Sequence, residues 1–258
     1  MLFGNRILQR GMKGKDITEL QMRLAGFRGT IWDGIFGPGT ELQVITFKRD
    51  YMGETDPDGI VNERMFDALK GFTNEYPINF GKLKCECGRC GGFGQGRFYG
   101  KYEKGKIAVE AFYRYEYPGI HKAILHSYRA LWFYSLKLYN ITPVLTCGYR
   151  CWIRNEQKQR TSTNHLGKAI DIDFPLFPGE DKRDDYNRCN TVRGLMVEKG
   201  NFQIGWGANN KKAFEPAEIA PTWLHIDVRC FVSSYLNDSY FVKSNQELDS
   251  LEINQGEE

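Results

Sequence analysis

Apolar residues recur at helical spacing in three short stretches within the first seventy residues. The stretches are marked by Ile17, Leu20 and Leu24, by Leu42, Val44, Ile45 and Phe47, and by Met65, Phe66 and Leu69. Two segments with the form of a capping box, 16–19 and 40–43, predict the starts of the first two helices, and Asn62 can cap the third. Two Asp-Gly turns, at 33–34 and 58–59, each lead into a helix. The pattern therefore predicts a small three-helix unit.

The periodicity changes after a boundary at residues 71–82. A long amphipathic helix is expected over about 118–139, and a strand is expected at 141–146. Two further segments, 169–173 and 223–229, alternate apolar and polar residues as strands do. We therefore expect an α+β fold with a three-helix domain at 1–75 and a larger domain at 80–240. The acidic tail at 241–258 is expected to be solvated from Gln246 onward.

Composition is that of a folded protein. The chain has 258 residues, of which 41% are hydrophobic and 14% aromatic, too many for a disordered chain. Its 35 basic and 32 acidic residues give a net charge of +3, so nucleic acid is not an expected partner. No apolar run approaches the roughly 20 residues of a membrane span, and the first ten residues lack the apolar core of a secretory signal. We expect a monomer that is made in the cytosol and does not bind membranes.

Seven cysteines cannot all pair within one chain, which favours a reducing compartment. Cys85, Cys87 and Cys90 lie close together in a glycine-rich stretch. They predict either a structural zinc site or a loop of free thiols. The candidates for a fourth zinc ligand are Cys147, Cys151, Cys189 and Cys230.

Histidine and aspartate residues on the two alternating segments suggest a second metal site. His165 precedes a strand that places Asp171 and Asp173 on one face, and His225 shares a face with Asp227 on the later strand. Two histidines and a carboxylate on rigid strands are typical ligands of a catalytic zinc. Taken alone, these histidines are equally consistent with core or surface residues.

Motifs in the first part of the chain resemble the peptidoglycan-binding domain of cell-wall hydrolases. They occupy 14–21, 33–40, 44–47 and 58–61, within a region of about 7–72. Lys48 stands where glutamine is common. The resemblance implies a three-helix module that holds an enzyme on the bacterial wall.

Motifs over roughly 80–235 resemble the zinc D-Ala-D-Ala carboxypeptidases and L-alanyl-D-glutamate endopeptidases of the VanY type. Segment 163–171 is similar to the signature Ser-x-His-x-x-Gly-x-Ala-x-Asp, with Thr163 in place of serine. Segments 147–150, 204–207 and 225–229 also resemble family motifs, and the four segments occur in family order, with Cys147 where serine is usual. The resemblance implies a mainly antiparallel sheet, zinc bound by His165, Asp171 and His225, and a substrate carboxylate bound by Arg150. An alternative for Arg150 is a structural salt bridge to Asp171 or Asp173.

Two departures from the signature leave alternatives open. The interval from His165 to Asp171 is one residue shorter than usual, so Asp173 is a rival ligand. Thr222 stands where the family commonly has an acid three residues before the last histidine. The candidates for the general base are Glu218, which we favour slightly, Asp227 and Glu215. Each of these acids could equally be an ordinary loop acid or salt-bridge partner.

The two resemblances together suggest a modular phage endolysin. We expect a zinc-dependent peptidase that cleaves stem peptides of peptidoglycan, with the L-alanyl-D-glutamate bond as the first choice. The alternatives are a D-Ala-D-Ala carboxypeptidase, a zinc-containing wall-binding protein that does not hydrolyse, or a structural component of the virion. The enzyme would be made in the host cytoplasm and reach the wall through a holin-made lesion.

Overall fold

A computed structural model describes residues 2–29, 31–98, 115–160, 165–206, 212–228 and 236–253. The described part has the predicted α+β fold, because its helices accompany strands that pair antiparallel. The helices are α1 Lys15–Arg23, α2 Pro38–Asp50, α3 Glu63–Glu75, α4 Phe80–Leu83, α5 Lys122–Tyr139, α6 Trp152–Gln157, α7 Lys182–Gly200 and α8 Asn245–Leu248, with a 3₁₀ turn at Asp238–Tyr240. The strands are β1 Arg97–Phe98, β2 Tyr115–Glu116, β3 Ile120–His121, β4 Val144–Cys147, β5 Ala169–Asp173, β6 Leu224–Asp227 and β7 Phe241–Val242.

Helices α1 to α3, which we call the N-terminal unit, lie within residues 1–75, but two of them begin earlier than the capping boxes predict. Helix α1 is capped by Gly14, because the Asp16 carboxylate is bound by Arg6 (Nε to Oδ2, 2.7 Å). Helix α2 is preceded by Gly37 and has Pro38 in its first turn, a position where the missing N–H costs nothing. The predicted cap of α3 is confirmed, since Asn62 Oδ1 accepts a hydrogen bond from the Met65 N–H at 3.1 Å.

The sheet β4-β5-β6 lies at the centre of the larger unit, with β5 in the middle. It pairs Cys147 with Asp171 across β4 and β5, and Asp171 with His225 across β5 and β6. Because directly paired residues in an antiparallel sheet point to the same face, these three side chains form one row across the sheet. The expected helix over 118–139 begins at Lys122, after the short strand β3, and its largely buried surface packs against α1 and α7.

The N-terminal unit packs against α5. Phe27 contacts the rings of Phe133 and Tyr134, at centroid distances of 5.9 and 5.5 Å. Gly26, with φ of +96°, approaches so closely that a Cβ atom there would lie 2.4 Å from the Cβ of Ala130. Glycine is therefore required at this contact.

The expectation that the tail is solvated from Gln246 onward is wrong in part for residues 246–253. Strand β7 pairs with β3, and Leu248 is fully buried. Asp249 forms a bidentate ion pair with Arg129, whose guanidinium is completely buried, at 2.6 and 2.9 Å. One carboxylate of the segment therefore neutralises a buried cation. Residues 254–258 lie outside the described part.

No helix in the described part of the chain combines the length and the apolar character needed to cross a membrane.

Candidate metal centre

Asp171 contacts both candidate histidines with different oxygen atoms. Its Oδ2 lies 3.3 Å from Nε2 of His165, and its Oδ1 lies 2.7 Å from Nδ1 of His225. The two imidazole rings are 5.3 Å apart between centroids and stand edge to face. The sheet register explains this arrangement, because Asp171 and His225 are direct cross-strand partners. Asp173, the rival ligand, binds the Phe174 N–H (2.7 Å), and no contact between it and either histidine is found among the described residues.

The remaining ring nitrogens of both histidines are held by the protein. Nδ1 of His165 lies 2.8 Å from the carbonyl oxygen of Gly148, and Nε2 of His225 lies 3.1 Å from Oδ2 of Asp227. Metal-binding histidines usually donate their second N–H to a carbonyl or a carboxylate, which fixes the ring and its tautomer. Asp227 therefore occupies the position of a residue that orients His225.

His165 and Asp171 are spaced as ligands of one zinc ion would be. Nitrogen and oxygen ligands lie at about 2.0–2.2 Å from zinc, so neighbouring ligand atoms of a tetrahedral site are roughly 3.3 Å apart. The His165 Nε2 to Asp171 Oδ2 distance matches that spacing, while the His225 contact is shorter, like a direct hydrogen bond. Ligand atoms of Cys147, His165 and Asp171 lie within 4.8 Å of one another, whereas His225 belongs to no such group among the described residues. The thiol of Cys147 is thus a further potential ligand, which the sequence analysis did not assign.

The electrostatics of the site favour positive charge between the two histidines. Burial alone would lower the pKa of His165, but the carboxylate of Asp171 raises it to about 10. Burial would likewise raise the pKa of Asp171, yet the two histidines hold it well below its usual range. The pKa of His225 is also raised, because hydrogen bonds to Asp171 and Asp227 outweigh its burial. A divalent cation could supply the positive charge that protons on the imidazoles otherwise provide.

Arg150 lies beside this centre and is 6% exposed. Its backbone N–H donates to the carbonyl of His165 at 2.7 Å, and its Nη2 lies 3.7 Å from Sγ of Cys147. Among the described residues, its buried Nε has no hydrogen-bond partner and the guanidinium forms no ion pair with Asp171 or Asp173. The guanidinium is therefore positioned to receive an acceptor that the described residues do not supply.

The three candidate general bases lie in different surroundings. Asp227 is 1% exposed and bonded to His225, and Glu215 is 7% exposed with its Oε1 3.8 Å from Nε2 of His225. Glu218 is exposed, and no contact between it and the three predicted ligands is found among the described residues. The motif residues Thr163, Gly207, Arg229 and Cys230 lie outside the described part of the chain.

Comparison with known proteins gives one partial similarity. No family model matches the chain. Over 69 residues the chain is 39% identical to the spore cortex-lytic enzyme of Bacillus subtilis (strain 168). The match covers 26% of this chain and 22% of the relative, so the chain spans only about a fifth of that relative's length.

Proposed function

We propose that this chain is a peptidoglycan hydrolase, and more specifically a zinc-dependent peptidase that cleaves the L-alanyl-D-glutamate bond of stem peptides. The observation that carries the proposal is the contact of Asp171 with both His165 and His225, whose outer nitrogens the protein already holds. The partial similarity to a cortex-lytic enzyme supports a substrate in the bacterial wall. The matched length is close to that of the three-helix unit, whose motifs resemble peptidoglycan-binding domains.

In this proposal His165, Asp171 and His225 hold the zinc ion. When bound, zinc would supply a Lewis acid that activates water and polarises the scissile carbonyl. Gly148 and Asp227 orient the two imidazoles through their outer nitrogens. Because Asp227 is engaged with His225, we assign proton transfer to Glu215, the other buried acid on this side of the ring.

Arg150 would bind a carboxylate of the substrate. Stem peptides carry free carboxylates, and the planar guanidinium can bind one of them through two parallel hydrogen bonds. Its burial strengthens this interaction, since the surrounding protein screens charge less than water does. The bond cleaved should therefore lie at a fixed distance from a free carboxylate of the peptide.

Endopeptidase activity is preferred over D-Ala-D-Ala carboxypeptidase activity because of what lysis requires. We propose a phage endolysin that reaches the wall through a holin-made lesion, and lysis then depends on severing the mesh. Removal of terminal residues would leave that mesh intact. The D-Ala-D-Ala carboxypeptidase therefore remains the alternative activity.

The test is digestion of isolated sacculi with the purified full-length chain. We expect soluble muropeptides with new amino termini at D-glutamate, loss of release with a metal chelator, and recovery of release with added zinc. Mass spectrometry of the fragments identifies the bond, and free D-alanine would instead show the carboxypeptidase. The His165→Ala/His225→Ala variant is the matched control, which should bind sacculi and release nothing. Binding by the wild-type chain without any release would overturn the hydrolase and favour a wall-binding protein.

A further inference from the structure

A second group of potential metal ligands lies outside the proposed catalytic centre. The sulfur atoms of Cys85, Cys87, Cys90 and Cys151 all lie within 4.8 Å of one another. Cys85 and Cys151 are closest, with 3.5 Å between their sulfur atoms. Cys151 is completely buried, and Cys85 and Cys87 are each 8% exposed. The sequence offers four candidates for a fourth zinc ligand, and the structure places one of them, Cys151, beside the three loop cysteines.

The backbone around the four thiols is arranged to stabilise negative charge on sulfur. The N–H groups of Arg89 and Cys90 point at Sγ of Cys87, at 3.3 and 3.2 Å. The Cys151 N–H points at Sγ of Cys85, at 3.4 Å. Gly88, with φ of +73°, makes the tight turn between Cys87 and Cys90 possible. Such N–H groups favour thiolates, the form in which cysteine binds a metal.

Four thiols at this spacing cannot all ionise without a cation. The hydrogen bond from Cys151 lowers the pKa of Cys85 to about 5. Burial, together with the neighbouring sulfur atoms, raises the pKa of Cys90 to about 12. The hydrogen bond to Cys85, followed by burial, raises the pKa of Cys151 above its usual range. Because four negative charges within 4.8 Å of one another repel, a divalent cation at the centre would stabilise the four thiolates together.

We propose that Cys85, Cys87, Cys90 and Cys151 form a structural zinc site, separate from the proposed catalytic centre. Zinc binds four thiolates tetrahedrally at about 2.3 Å, which places the sulfur atoms roughly 3.8 Å apart, within the observed limit. Binding displaces the remaining thiol protons to solvent and changes no oxidation state. A complete set of four cysteines leaves no position open for substrate, which is typical of a structural site.

The site would fix the turn that carries the substrate-binding residue. Cys151 follows Arg150 directly, while the other three ligands lie in the loop after α4. The same two segments are joined by the Tyr149 N–H, which donates to the Leu83 carbonyl at 2.7 Å. At Gly148, a Cβ atom would lie 2.5 Å from Cα of Leu83, so the turn is pressed against the end of α4. Zinc at the four thiols would lock together the segments that position Arg150 and the carbonyl that orients His165.

The test measures metal content in the full-length chain. After purification in zinc-containing medium, elemental analysis should find two zinc ions per chain in the wild type. The His165→Ala/His225→Ala variant should keep one of them. Cobalt substitution of that variant should give the intense thiolate-to-cobalt charge-transfer absorption of a four-sulfur site. Modification of its thiols under native conditions should release one zinc ion for every four sulfurs blocked.

Cysteine variants provide the matched controls. Cys87→Ser/Cys90→Ser should lower the zinc content of the wild type by one, whereas Cys189→Ala, which changes a buried cysteine outside the group, should not. The proposal is overturned if the His165→Ala/His225→Ala variant holds no metal and its thiols react at once with a disulfide reagent. A disulfide between Cys85 and Cys151, found by mass spectrometry of freshly purified wild type, would also overturn it. Neither of these results requires a cysteine variant to fold.

Discussion

At the scale of single residues, the two ring nitrogens of each candidate histidine make different contacts. In both rings one nitrogen faces Asp171 and the other is held by a second protein group. This division explains why Asp227, which shares a strand face with His225, is better placed to orient that ring than to transfer a proton. The Gly148 carbonyl does the same for His165, although nothing in the identity of a glycine predicts it.

The role of Asp227 can be tested by a neutral replacement. Asp227→Asn keeps an acceptor beside His225 but removes the charge, so zinc affinity at the catalytic centre should fall about 10–100-fold. Competition with a chelator measures that affinity. Asp173→Asn is the control, because Asp173 accepts a hydrogen bond from the backbone N–H of Phe174. The zinc affinity of this variant should stay within about a factor of two of the wild type. Unchanged affinity in Asp227→Asn with lost turnover would instead place Asp227 in the chemical step.

The assignment of Glu215 as general base predicts that its replacement affects turnover and leaves the zinc content unchanged. Glu215→Gln should keep its zinc and lose turnover by at least about 100-fold, because the amide cannot accept a proton. Glu218→Gln is the matched comparison, since the two acids lie three residues apart and Glu218 is exposed. Zinc content and release of soluble muropeptides measure the two effects. If Glu218→Gln loses turnover and Glu215→Gln retains it, the role belongs to Glu218.

At the scale of elements, strand alternation and strand register together determine where the candidate ligands lie. The pattern placed Asp171 and His225 on strand faces, and the register of β5 with β6 makes them partners. Spacing alone did not separate Asp171 from Asp173, because both lie on one face of β5. Only the pairing with β6 distinguishes them.

Features that depend on distant contacts were not predictable from local pattern. The capping box at Asp16 is absent because Arg6 binds that carboxylate. Thr40 likewise does not begin α2, since its hydroxyl accepts a hydrogen bond from Gln21 (2.9 Å). Cys151 joins the loop at Cys85 across 66 positions in the chain, and no spacing rule selects it over the other cysteines. In each case tertiary contacts, rather than the local sequence, decide the outcome.

The C-terminal segment provides a stability prediction. Asp249→Ala would leave the fully buried guanidinium of Arg129 without its carboxylate, which should cost roughly 3 kcal/mol. In a chain of this size that corresponds to a fall in Tm of about 6–12 °C. Thermal unfolding followed by circular dichroism measures it, with Glu252→Ala at an exposed position of the same segment as the control. An equal Tm in Asp249→Ala and wild type would show that the segment does not contribute to stability.

At the scale of the whole molecule, the N-terminal unit is part of one packed structure rather than a loosely attached module. Its core is continuous with that of the larger unit through Phe27 and α5. A buried ionic network crosses the same contact: Glu19 of α1 binds Arg23 at 2.8 Å and Lys122 of α5 at 3.1 Å. Arg23 in turn donates to the Ser250 carbonyl of the C-terminal segment at 2.7 Å. Three separate parts of the chain are thus joined through Glu19 and Arg23, so the proposed wall binding by the first unit would also orient the proposed catalytic centre.

This network makes stability depend on pH in a predictable direction. Burial alone would raise the pKa of Glu19, but Arg23 and Lys122 lower it below its ordinary value. The folded chain therefore holds this proton less tightly than the unfolded chain. The resulting stabilisation is fully present above the ordinary glutamate pKa of about 4.3 and is lost as the pH falls below it.

Glu19→Gln should lower the free energy of unfolding by roughly 3 kcal/mol at pH 7, because two largely buried cations lose their partner. The difference from wild type should shrink as the pH falls through about 4, as urea unfolding at a series of pH values would show. Glu63→Gln, at an exposed position of α3, should follow the wild type at every pH. A difference between Glu19→Gln and wild type that stays constant down to pH 3 would mean that the Glu19 carboxylate does not link the two units through its charge.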